Sequence, residues 1–332
     1  MPLGEFELIE RFFRQPGEAL CRSRGDVVLG IGDDAALLRP AAGKELVAAL
    51  DTLVEGRHFP VGSPARSIGH RALAVNLSDL AAMGADPAWF LLALTLPAAD
   101  EDFLAAFAQG MLQLAAAHGM ALVGGDTTAG TLAASVQALG FVAPGEALRR
   151  SGGAPGDLLY VSGTPGDAAA GLRLAMEEPA VRLDAAQRQW LLDRFHFPAP
   201  RVGLGRLLRG VASACIDVSD GLAADAGKLA AASGCGVRIE IERLPLSAAL
   251  RAHAGAGAAQ LALAGGDDYE LCFTVAAGRV DELAARAAAA ECLVTRIGEL
   301  TPGNGIMLIE HGVPSARGFT GYEHFRLRQS TT

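Results

Sequence analysis

Acidic side chains beside glycines, or at the ends of apolar runs, are the residues of this sequence best suited to chemistry. Adjacent carboxylates repel each other and are rarely buried unless something pairs with them. Any one of these aspartates could cap a helix or a turn, but several that converge would require cations. Mg²⁺ takes oxygen ligands and usually also binds the phosphates of a substrate. The aspartates of this kind are Asp33, Asp34, Asp51, Asp79, Asp126, Asp217, Asp220, Asp267 and Asp268.

Glycines precede many of these acids, as in GIGDD (30–34), GGDTT (124–128) and GGDDY (265–269). Because glycine has no Cβ, it lets backbone N–H groups approach a phosphate closely. Ordinary turn chemistry explains the same pattern, so the glycines alone do not decide between a phosphate site and simple turns. Arg149 and Arg150 leave a similar choice open, since they could clamp a phosphate or belong to a solvated linker.

Familiar nucleotide-binding and hydrolase motifs are missing from the sequence. There is no G-x-x-x-x-G-K-[ST] loop, and the nearest approach, Gly227-Lys228, is followed by Leu229 where Ser or Thr belongs. The segment SGTPGDAAAG (162–171) lacks G-x-G-x-x-G spacing, which favours a plain helix start over a phosphate loop. No H-E-x-x-H or G-x-S-x-G occurs, and among the histidines only His58 lies near an acidic motif.

Alternating apolar strands and helices must position these acids. We predict strands at 45–51, 87–97, 120–128, 213–221 and 265–275, and in this interpretation Asp51, Asp126 and Asp217 each end a strand. Ligands of α/β sheets gather beyond the carboxyl ends of strands, so we expect the three acids to converge. Residues 64–83 predict one long helix, or two with a break near Asn76, and 100–119 predict an amphipathic helix. The Gly- and Pro-rich segment 143–157 is the best candidate domain boundary.

Length and composition limit which class of protein this sequence can encode. The 332 residues are 51% hydrophobic and 20% charged, which predicts a globular protein of two domains. A net charge of −9 argues against nucleic acid or an anionic membrane as partner, and an anionic substrate would need cations. Five scattered cysteines without a C-x-x-C pair favour reduced thiols in a cytoplasm. We find neither a signal peptide nor an apolar run long enough to cross a membrane.

Seven motifs, taken in order, make the sequence similar to a known family. They closely resemble the motifs of the thiamine-monophosphate kinases, in the superfamily that includes aminoimidazole ribonucleotide synthetase. The resemblance runs from about residue 4 to GYEHF at 321–325, nearly the whole chain. Each motif is short, but seven in register are highly specific. The motifs are GIGDDAALL, DTLVEGRHF, NLSDLAAMGADP, GGDTT, RSGGAPGD, IDVSDGL and GGDDYELCF.

The resemblance implies a two-domain fold like that of aminoimidazole ribonucleotide synthetase, with α/β and α+β parts. An N-terminal α/β domain, residues 1–147, would bind metal and ATP and would dimerise through its sheet. A C-terminal α+β domain, residues 148–332, would complete the active-site cleft. The implied activity is transfer of the γ-phosphoryl group of ATP to thiamine monophosphate on several Mg²⁺ ions, by a homodimer. The products would be thiamine diphosphate and ADP.

Matching motif by motif, the resemblance assigns three groups of site residues. The metal ligands are Asp34, Asp51, Asp79, Asp126, Asp217 and Asp220, while Asp33 either joins them or orients the turn. The nucleotide contacts are Gly125, Asp126, Arg150 and Ser219. The contacts to the thiamine phosphate are His58, Asp267 and Tyr322.

Two departures from the family pattern stand out. Ala49 and Leu50 occupy positions where the family often has Ser or Thr as further metal ligands, and Asp267 replaces the usual Glu. Neither departure removes a core carboxylate, so we expect activity. The acceptor is a phosphate monoester with a second pKa of about 6, so no side chain is assigned as a general base. The competing interpretations are another ATP-using synthetase of the same superfamily and a non-catalytic sensor of ATP or thiamine phosphates.

Overall fold

The structure, a computed structural model, describes residues 4–177, 183–290, 292–318 and 321. These residues form two compact units. The N-terminal unit contains residues 4–148, 196–211 and 286–290, and the C-terminal unit contains the rest. The domain division predicted at residue 147 stays a proposal, because segment 196–211 lies beyond it and yet packs with the N-terminal unit.

Up to residue 148, the described chain alternates strands with helices in the predicted order. A π-helical turn, Glu10–Arg14, joins the first two helices. The helices are α1 Glu5–Ile9, α2 Gln15–Ser23, α3 Ala65–Ala82 and α4 Glu101–Ala117, and the strands are β1 Val27–Leu29, β2 Leu37–Leu38, β3 Glu45–Val54, β4 Asp86–Leu96, β5 Ala121–Ala129 and β6 Ala133–Val142.

Further helices and strands follow residue 148. The helices are α5 Asp167–Ala175, α6 Ala185–His196, α7 Val202–Leu208, α8 Leu222–Ala232, α9 Ala248–Ala254, α10 Ala258–Ala264 and α11 Val280–Ala287. The strands are β7 Leu158–Ser162, β8 Ala214–Val218, β9 Gly236–Glu240, β10 Glu270–Val275, β11 Val294–Thr301, β12 Ile306–Glu310 and β13 Val313–Pro314. Three short 3₁₀ turns, Ile241–Arg243, Gly255–Gly257 and Ala277–Arg279, connect some of them.

A four-stranded sheet forms the centre of the N-terminal unit, in the order β3-β6-β4-β5. Its strands run antiparallel except for the parallel pair β4 and β5. Helix α3 covers one face, and α4 packs against α3. Helix α3 is a single helix without a break at Asn76. The fully buried Asn76 side chain donates to the Ala72 carbonyl at 3.1 Å and accepts the Asp51 N–H at 3.1 Å, so it is satisfied without interrupting the helix.

The interpretation that Asp51 and Asp126 each end a strand was wrong. Strand β3 continues past Asp51 to Val54, because Thr52, Leu53 and Val54 extend the ladder with β6. Strand β5 likewise continues past Asp126 to Ala129, paired with β4. Asp51 and Asp126 therefore lie within strands. Of the three acids predicted at the carboxyl ends of strands, Asp217 alone lies there, as the next-to-last residue of β8.

The second face of the four-stranded sheet, here named the open face, is not covered by α3. Apolar side chains occupy much of it: Leu46 is 53% exposed and Leu50 is 65% exposed, which is unusual for leucines in a central sheet. Side chains alternate between the faces of a strand, so residues paired across strands share a face. The open face is formed by Leu46, Ala48, Leu50 and Thr52 of β3, Ser135, Gln137 and Leu139 of β6, and Leu91, Ala93 and Thr95 of β4.

The C-terminal unit is built on a seven-stranded sheet in the order β13-β12-β9-β11-β7-β10-β8. Neighbouring strands are antiparallel except β12 and β9. Its core joins strand residues such as Val161 and Ile216 to helix residues such as Leu222 and Leu229. At one edge, β8 pairs with β10 so that Asp217 lies opposite Leu271, which brings the IDVSDG and GGDDYEL segments side by side.

Candidate active site

Asp33 and Asp34 lie in an exposed loop between β1 and β2. The Asp33 carboxylate accepts the Asp34 backbone N–H at 2.8 Å, directly after Gly32 with its φ of 125°. This bond lets Asp33 stabilise the local backbone. The assignment of Asp34 to a metal stays a prediction.

A cavity of about 1040 Å³ within the N-terminal unit connects this loop to the GGDTT segment. It combines a few carboxylates with extensive apolar walls, as small-molecule sites usually do. The described structure thus brings Asp34 and Asp126 to one cavity. Its polar lining includes Asp33, Asp34, Asp126, Ser135 and Gln137, and its apolar lining includes Phe6, Phe13, Leu50 and Leu91.

Gly125 also lines this cavity, but the fold alone requires a glycine there. Its φ is 151°, and a Cβ at this position would lie 1.8 Å from the Leu92 carbonyl oxygen. Any larger residue would therefore push β5 away from β4. Packing accounts for the glycine in full, so its assignment as a nucleotide contact stays a prediction.

Asp51 and Asp79 form a second acidic group, on the side of the sheet that faces α3. Their carboxyl groups are hydrogen-bonded to each other. Burial raises the pKa of Asp51, while the hydrogen bond to Asp79 acts against that rise. Two carboxylates in contact must share a proton or a cation. Their oxygen atoms are the donors that Mg²⁺ prefers, so the pair fits a hard divalent cation.

His58 is held close to this pair by the last residue of β3. The Val54 backbone N–H donates to His58 Nδ1 at 2.9 Å. Nδ1 is therefore the unprotonated nitrogen, and Nε2 carries the hydrogen of the neutral ring. An imidazole fixed in this way can donate from Nε2 to an anionic ligand.

Asp51 and Asp126 do not converge within the N-terminal unit. Asp51 pairs with Val136, Val136 with Leu92, and Leu92 with Gly125, so Asp51 and the GGDTT segment lie at opposite edges of the sheet. Three strand spacings separate these edges, about 14 Å. Asp126 is paired with the exposed Ala93 on the open face, whereas Asp51 faces α3. Within residues 4–177, 183–290 and 292–318, no three His, Cys, Asp or Glu side chains are grouped closely enough to hold one metal.

In the C-terminal unit, the IDVSDG segment is organised by two residues that the sequence analysis missed. Asp225, 1% exposed, accepts the backbone N–H groups of Ser219 at 3.0 Å and Asp220 at 2.9 Å. Lys228 Nζ lies 2.8 Å from the Asp225 carboxylate and also contacts that of Asp220. The sequence contained a signal for this ion pair. Only two of the 28 basic residues are lysines, and Lys228 follows Asp225 by three positions, as paired residues of a helix do. Asp220, assigned as a metal ligand, thus shares its carboxylate with an ammonium group.

Burial also affects the pKa of an acid at this turn, Asp225. It raises the pKa of Asp225, and the contacts with Lys228 only partly offset the rise. Asp217, 5% exposed, lies just before the turn on β8. The structure therefore places Asp217, Ser219 and Asp220 in one short segment with a rigid backbone.

Arg149 and Arg150 at the domain boundary are held through their backbone carbonyls. Arg149 and Arg150 are exposed, and their backbone carbonyls accept hydrogen bonds from Cys215 N–H at 2.7 Å and Ser233 Oγ at 3.2 Å. These bonds fix the backbone beside β8 without engaging the guanidinium groups. The assignment of Arg150 to the nucleotide stays a prediction, and Tyr322 lies outside the described residues.

The GGDDY segment presents Asp267 beside β8. The Tyr269 hydroxyl donates to Asp267 Oδ1 at 3.0 Å, and both residues have positive φ, 68° for Asp267 and 49° for Tyr269. Asp268 points elsewhere: its fully buried carboxylate accepts the N–H groups of Gly166 at 2.7 Å and Ala168 at 3.2 Å. The start of α5 is thus occupied by a carboxylate of the protein itself. SGTPGDAAAG is a plain helix start, as predicted.

Two further observations concern the whole described chain. None of its helices combines the length and apolar character needed to span a bilayer. None of the five cysteines, all among the described residues, forms a disulfide, and Cys215, Cys235 and Cys272 are buried. Burial raises the pKa of the Cys272 thiol well above its ordinary value, so this cysteine is an inert part of the core.

Comparisons with known proteins find relatives over nearly the whole chain. The family model of the AIR synthase related protein, N-terminal domain, matches residues 32–142, and that of the C-terminal domain matches residues 154–310. The thiamine-monophosphate kinase of Escherichia coli (strain K12) is 45% identical over 327 residues, covering 98% of this chain and 99% of that relative. Two matching family models and two mixed units of helices and strands confirm the predicted fold class.

Solved structures are similar over nearly the same length. The crystal structure of thiamine-monophosphate kinase from Stenotrophomonas maltophilia K279a is 49% identical, with a TM-score of 0.85, over 93% of this chain and 97% of that one. AaThiL complexed with AMPPCP and TMP is 32% identical, with a TM-score of 0.75, over 97% of both chains. The chain therefore belongs to the thiamine-monophosphate kinase family, among the proteins related to AIR synthase.

Proposed function

We propose that this chain is an ATP-dependent kinase that converts thiamine monophosphate to thiamine diphosphate, in thiamine diphosphate biosynthesis. The observation that carries the proposal is the extent of similarity: the E. coli kinase matches 98% of this chain, so the nucleotide motifs and the acceptor motifs are both included. AaThiL was solved with AMPPCP, an ATP analogue, and TMP, which is the pair of ligands that such a reaction requires.

The proposed metal is Mg²⁺, held by the carboxylates of Asp34, Asp51, Asp79, Asp126, Asp217 and Asp220. The Asp51–Asp79 contact supports the assignment, since these carboxyl groups would otherwise repel each other once ionised. When bound, Mg²⁺ neutralises phosphate charge that a protein of net charge −9 would repel.

The side chains then act mainly by positioning. The acceptor phosphate oxygen is already deprotonated at neutral pH, because its pKa is about 6. No general base is needed, and His58 is suited to donate a hydrogen bond from Nε2 instead. Asp267, with Tyr322, would hold the acceptor, while Gly125, Arg150 and Ser219 would hold the nucleotide. We propose direct in-line transfer without a phosphoenzyme.

We also propose that the protein is a homodimer that pairs through the open face. Leu46 and Leu50 are more than half exposed there, and burial against a second copy would remove them from water. If β3 of one sheet meets β5 of the partner, Asp51 and Asp79 of one protomer approach Asp34 and Asp126 of the other. This arrangement would bring together two sheet edges that lie apart within one N-terminal unit. We further propose a cytoplasmic location, on the basis of the free thiols.

A single assay tests the proposed activity. The purified protein is incubated with MgATP and thiamine monophosphate, and thiamine diphosphate and ADP are measured by chromatography. We expect stoichiometric formation of both products. An Asp51→Asn variant, purified in parallel, controls for contaminating kinases.

The competing functions give different results in the same assay. A related ATP-using synthetase would release ADP only with another acceptor, which a screen of acceptors would reveal. A non-catalytic sensor would bind ATP or thiamine phosphates without turnover. Labelled protein that forms from γ-³²P-ATP and passes its label to thiamine monophosphate would overturn the direct transfer.

A further inference from the structure

Asp268 is the one acid of the GGDDY segment to which the proposed reaction gives no role. It lies between two residues with left-handed backbone, Asp267 at φ 68° and Tyr269 at φ 49°. Residues other than glycine adopt this conformation only when the surroundings hold them in it. Some contact in this segment must therefore stabilise the strained backbone.

The carboxylate of Asp268 provides that contact. It is completely buried and accepts two backbone N–H groups from the start of α5, from Gly166 at 2.7 Å and Ala168 at 3.2 Å. These N–H groups have no partner within the helix, and the helix dipole favours a negative charge beside them. Arg194 reinforces the attachment, because it pairs with the buried Glu270 at 2.6 Å, two residues further on.

The residues on either side of Asp268 face the opposite direction, toward the IDVSDG segment. The Asp267 N–H donates to the Ser219 carbonyl at 3.0 Å, and the Tyr269 N–H donates to the Val218 carbonyl at 2.9 Å. Gly266 approaches so closely that a Cβ there would lie 2.5 Å from the Ser219 carbonyl oxygen. The segment is thus clamped between β8 on one side and the start of α5 on the other.

We propose that Asp268 is a positioning residue for the phosphate acceptor: by holding the start of α5, it fixes the strained backbone that presents Asp267. This inference rests on the proposed function, in which Asp267 contacts thiamine monophosphate. The nucleotide side has a separate anchor, because Asp225 holds the N–H groups of Ser219 and Asp220. Loss of the Asp268 anchor should therefore weaken acceptor binding and spare nucleotide binding.

The Asp268→Asn variant tests the inference. Its amide NH₂ would face a backbone N–H, so one of the two anchoring hydrogen bonds is lost. We expect KM for thiamine monophosphate, and its Kd by calorimetry, to rise about tenfold, with KM for ATP within about twofold of wild type. Tyr269→Phe, which removes the hydroxyl group bound to Asp267, should raise the same KM by a smaller factor while keeping the fold.

Asp167→Asn is the matched control. Asp167 is equally buried at the start of the same helix, but the hydrogen bonds that it accepts come from Thr164, Trp190 and Ser247, which lie outside the GGDDY segment. The control should lower the melting temperature without changing KM for thiamine monophosphate.

The outcomes separate the inference from the function on which it rests. An active wild type whose Asp268→Asn and Tyr269→Phe variants keep the wild-type KM and Kd for thiamine monophosphate would overturn the positioning role alone. Equal increases in both KM values, in Asp268→Asn and in the control alike, would also overturn it, because they would indicate general loosening. A wild type that makes no thiamine diphosphate would overturn the proposed function together with the inference.

Discussion

Asp51 and Asp126 lie at opposite edges and on opposite faces of the same four-stranded sheet. Asp51 faces α3 and contacts Asp79, whereas Asp126 is paired with Ala93 on the open face. Yet both belong to motifs that, by resemblance, bind the metals of one reaction. Within the N-terminal unit the two carboxylates lie apart, and the proposed dimer, in which β3 of one protomer meets β5 of the other, would bring their strands together.

The first prediction is that two inactive variants complement each other. Asp51→Asn and Asp126→Asn should each lower kcat by at least about 100-fold, because each removes a charge from the proposed metal set. After mixing, unfolding and refolding together, half of the dimers should be mixed, each with one intact site. We therefore expect about a quarter of the wild-type activity, given a symmetric dimer with two shared sites.

The control for complementation mixes Asp51→Asn with Asp79→Asn. These two residues contact each other within one chain and should serve the same site, so no mixed dimer has an intact one. Activity should stay at background. A shared site is excluded if the Asp51→Asn and Asp126→Asn mixture is equally inactive while both variants remain folded and dimeric.

The second prediction concerns the open face. Leu50→Glu introduces a charge into the proposed interface, where the leucine side chain is 65% exposed in a single chain. We expect the variant to elute as a monomer in size-exclusion chromatography with light scattering. We also expect it to be inactive, because the proposed site needs both protomers. Met307→Glu on β12 is the control, because Met307 is 51% exposed and belongs to the C-terminal unit. A dimeric, active Leu50→Glu protein would argue against this interface.

The third prediction concerns Lys228, which lies between Asp220 and Asp225. Its ammonium group competes with a divalent cation for the Asp220 carboxylate. Lys228→Met should therefore tighten Mn²⁺ binding at this segment about fivefold, since a partly exposed ion pair is worth up to about 1 kcal/mol. Electron paramagnetic resonance of Mn²⁺ without nucleotide measures this change. Lys228→Arg should keep wild-type binding, and an unchanged Mn²⁺ affinity in Lys228→Met would rule out the competition.

The fourth prediction is that the fall in kcat/KM at acid pH comes from protonation of the substrate and not of the protein. Protonation of the acceptor phosphate, with a pKa of about 6, should lower kcat/KM for thiamine monophosphate as the pH falls. His58→Gln should weaken acceptor binding without moving that inflection, because His58 donates a hydrogen bond in place of taking a proton. A shift of the inflection in His58→Gln would instead identify the imidazole as the titrating group.

The fifth prediction concerns removal of the metal. Excess EDTA should abolish turnover reversibly, and Mg²⁺ should restore it, because a protein of net charge −9 needs cations to hold two anions together. The two units should remain folded, since their cores are apolar. Circular dichroism in EDTA checks this, and a loss of helix signal would show that the metal is needed for folding as well.

Much of this protein was predictable from its sequence alone. The periodicity of residues 64–83 and 100–119 predicted α3 and α4, and seven ordered motifs predicted the family and fold class. Acids beside glycines predicted which segments carry chemistry, because only a few residue types bind hard cations or approach phosphates. These inferences depend on local patterns, which a sequence displays directly.

Tertiary structure decided which of those residues meet. Asp51 and Asp126 have similar sequence surroundings, but strand pairing places them on opposite faces, since a shift of one residue along a strand reverses the side chain's direction. Asp267 and Asp268 are adjacent, yet positive φ angles send one toward β8 and the other to the start of α5. The sequence determined which groups are capable of chemistry, and only long-range pairing and packing determined their partners.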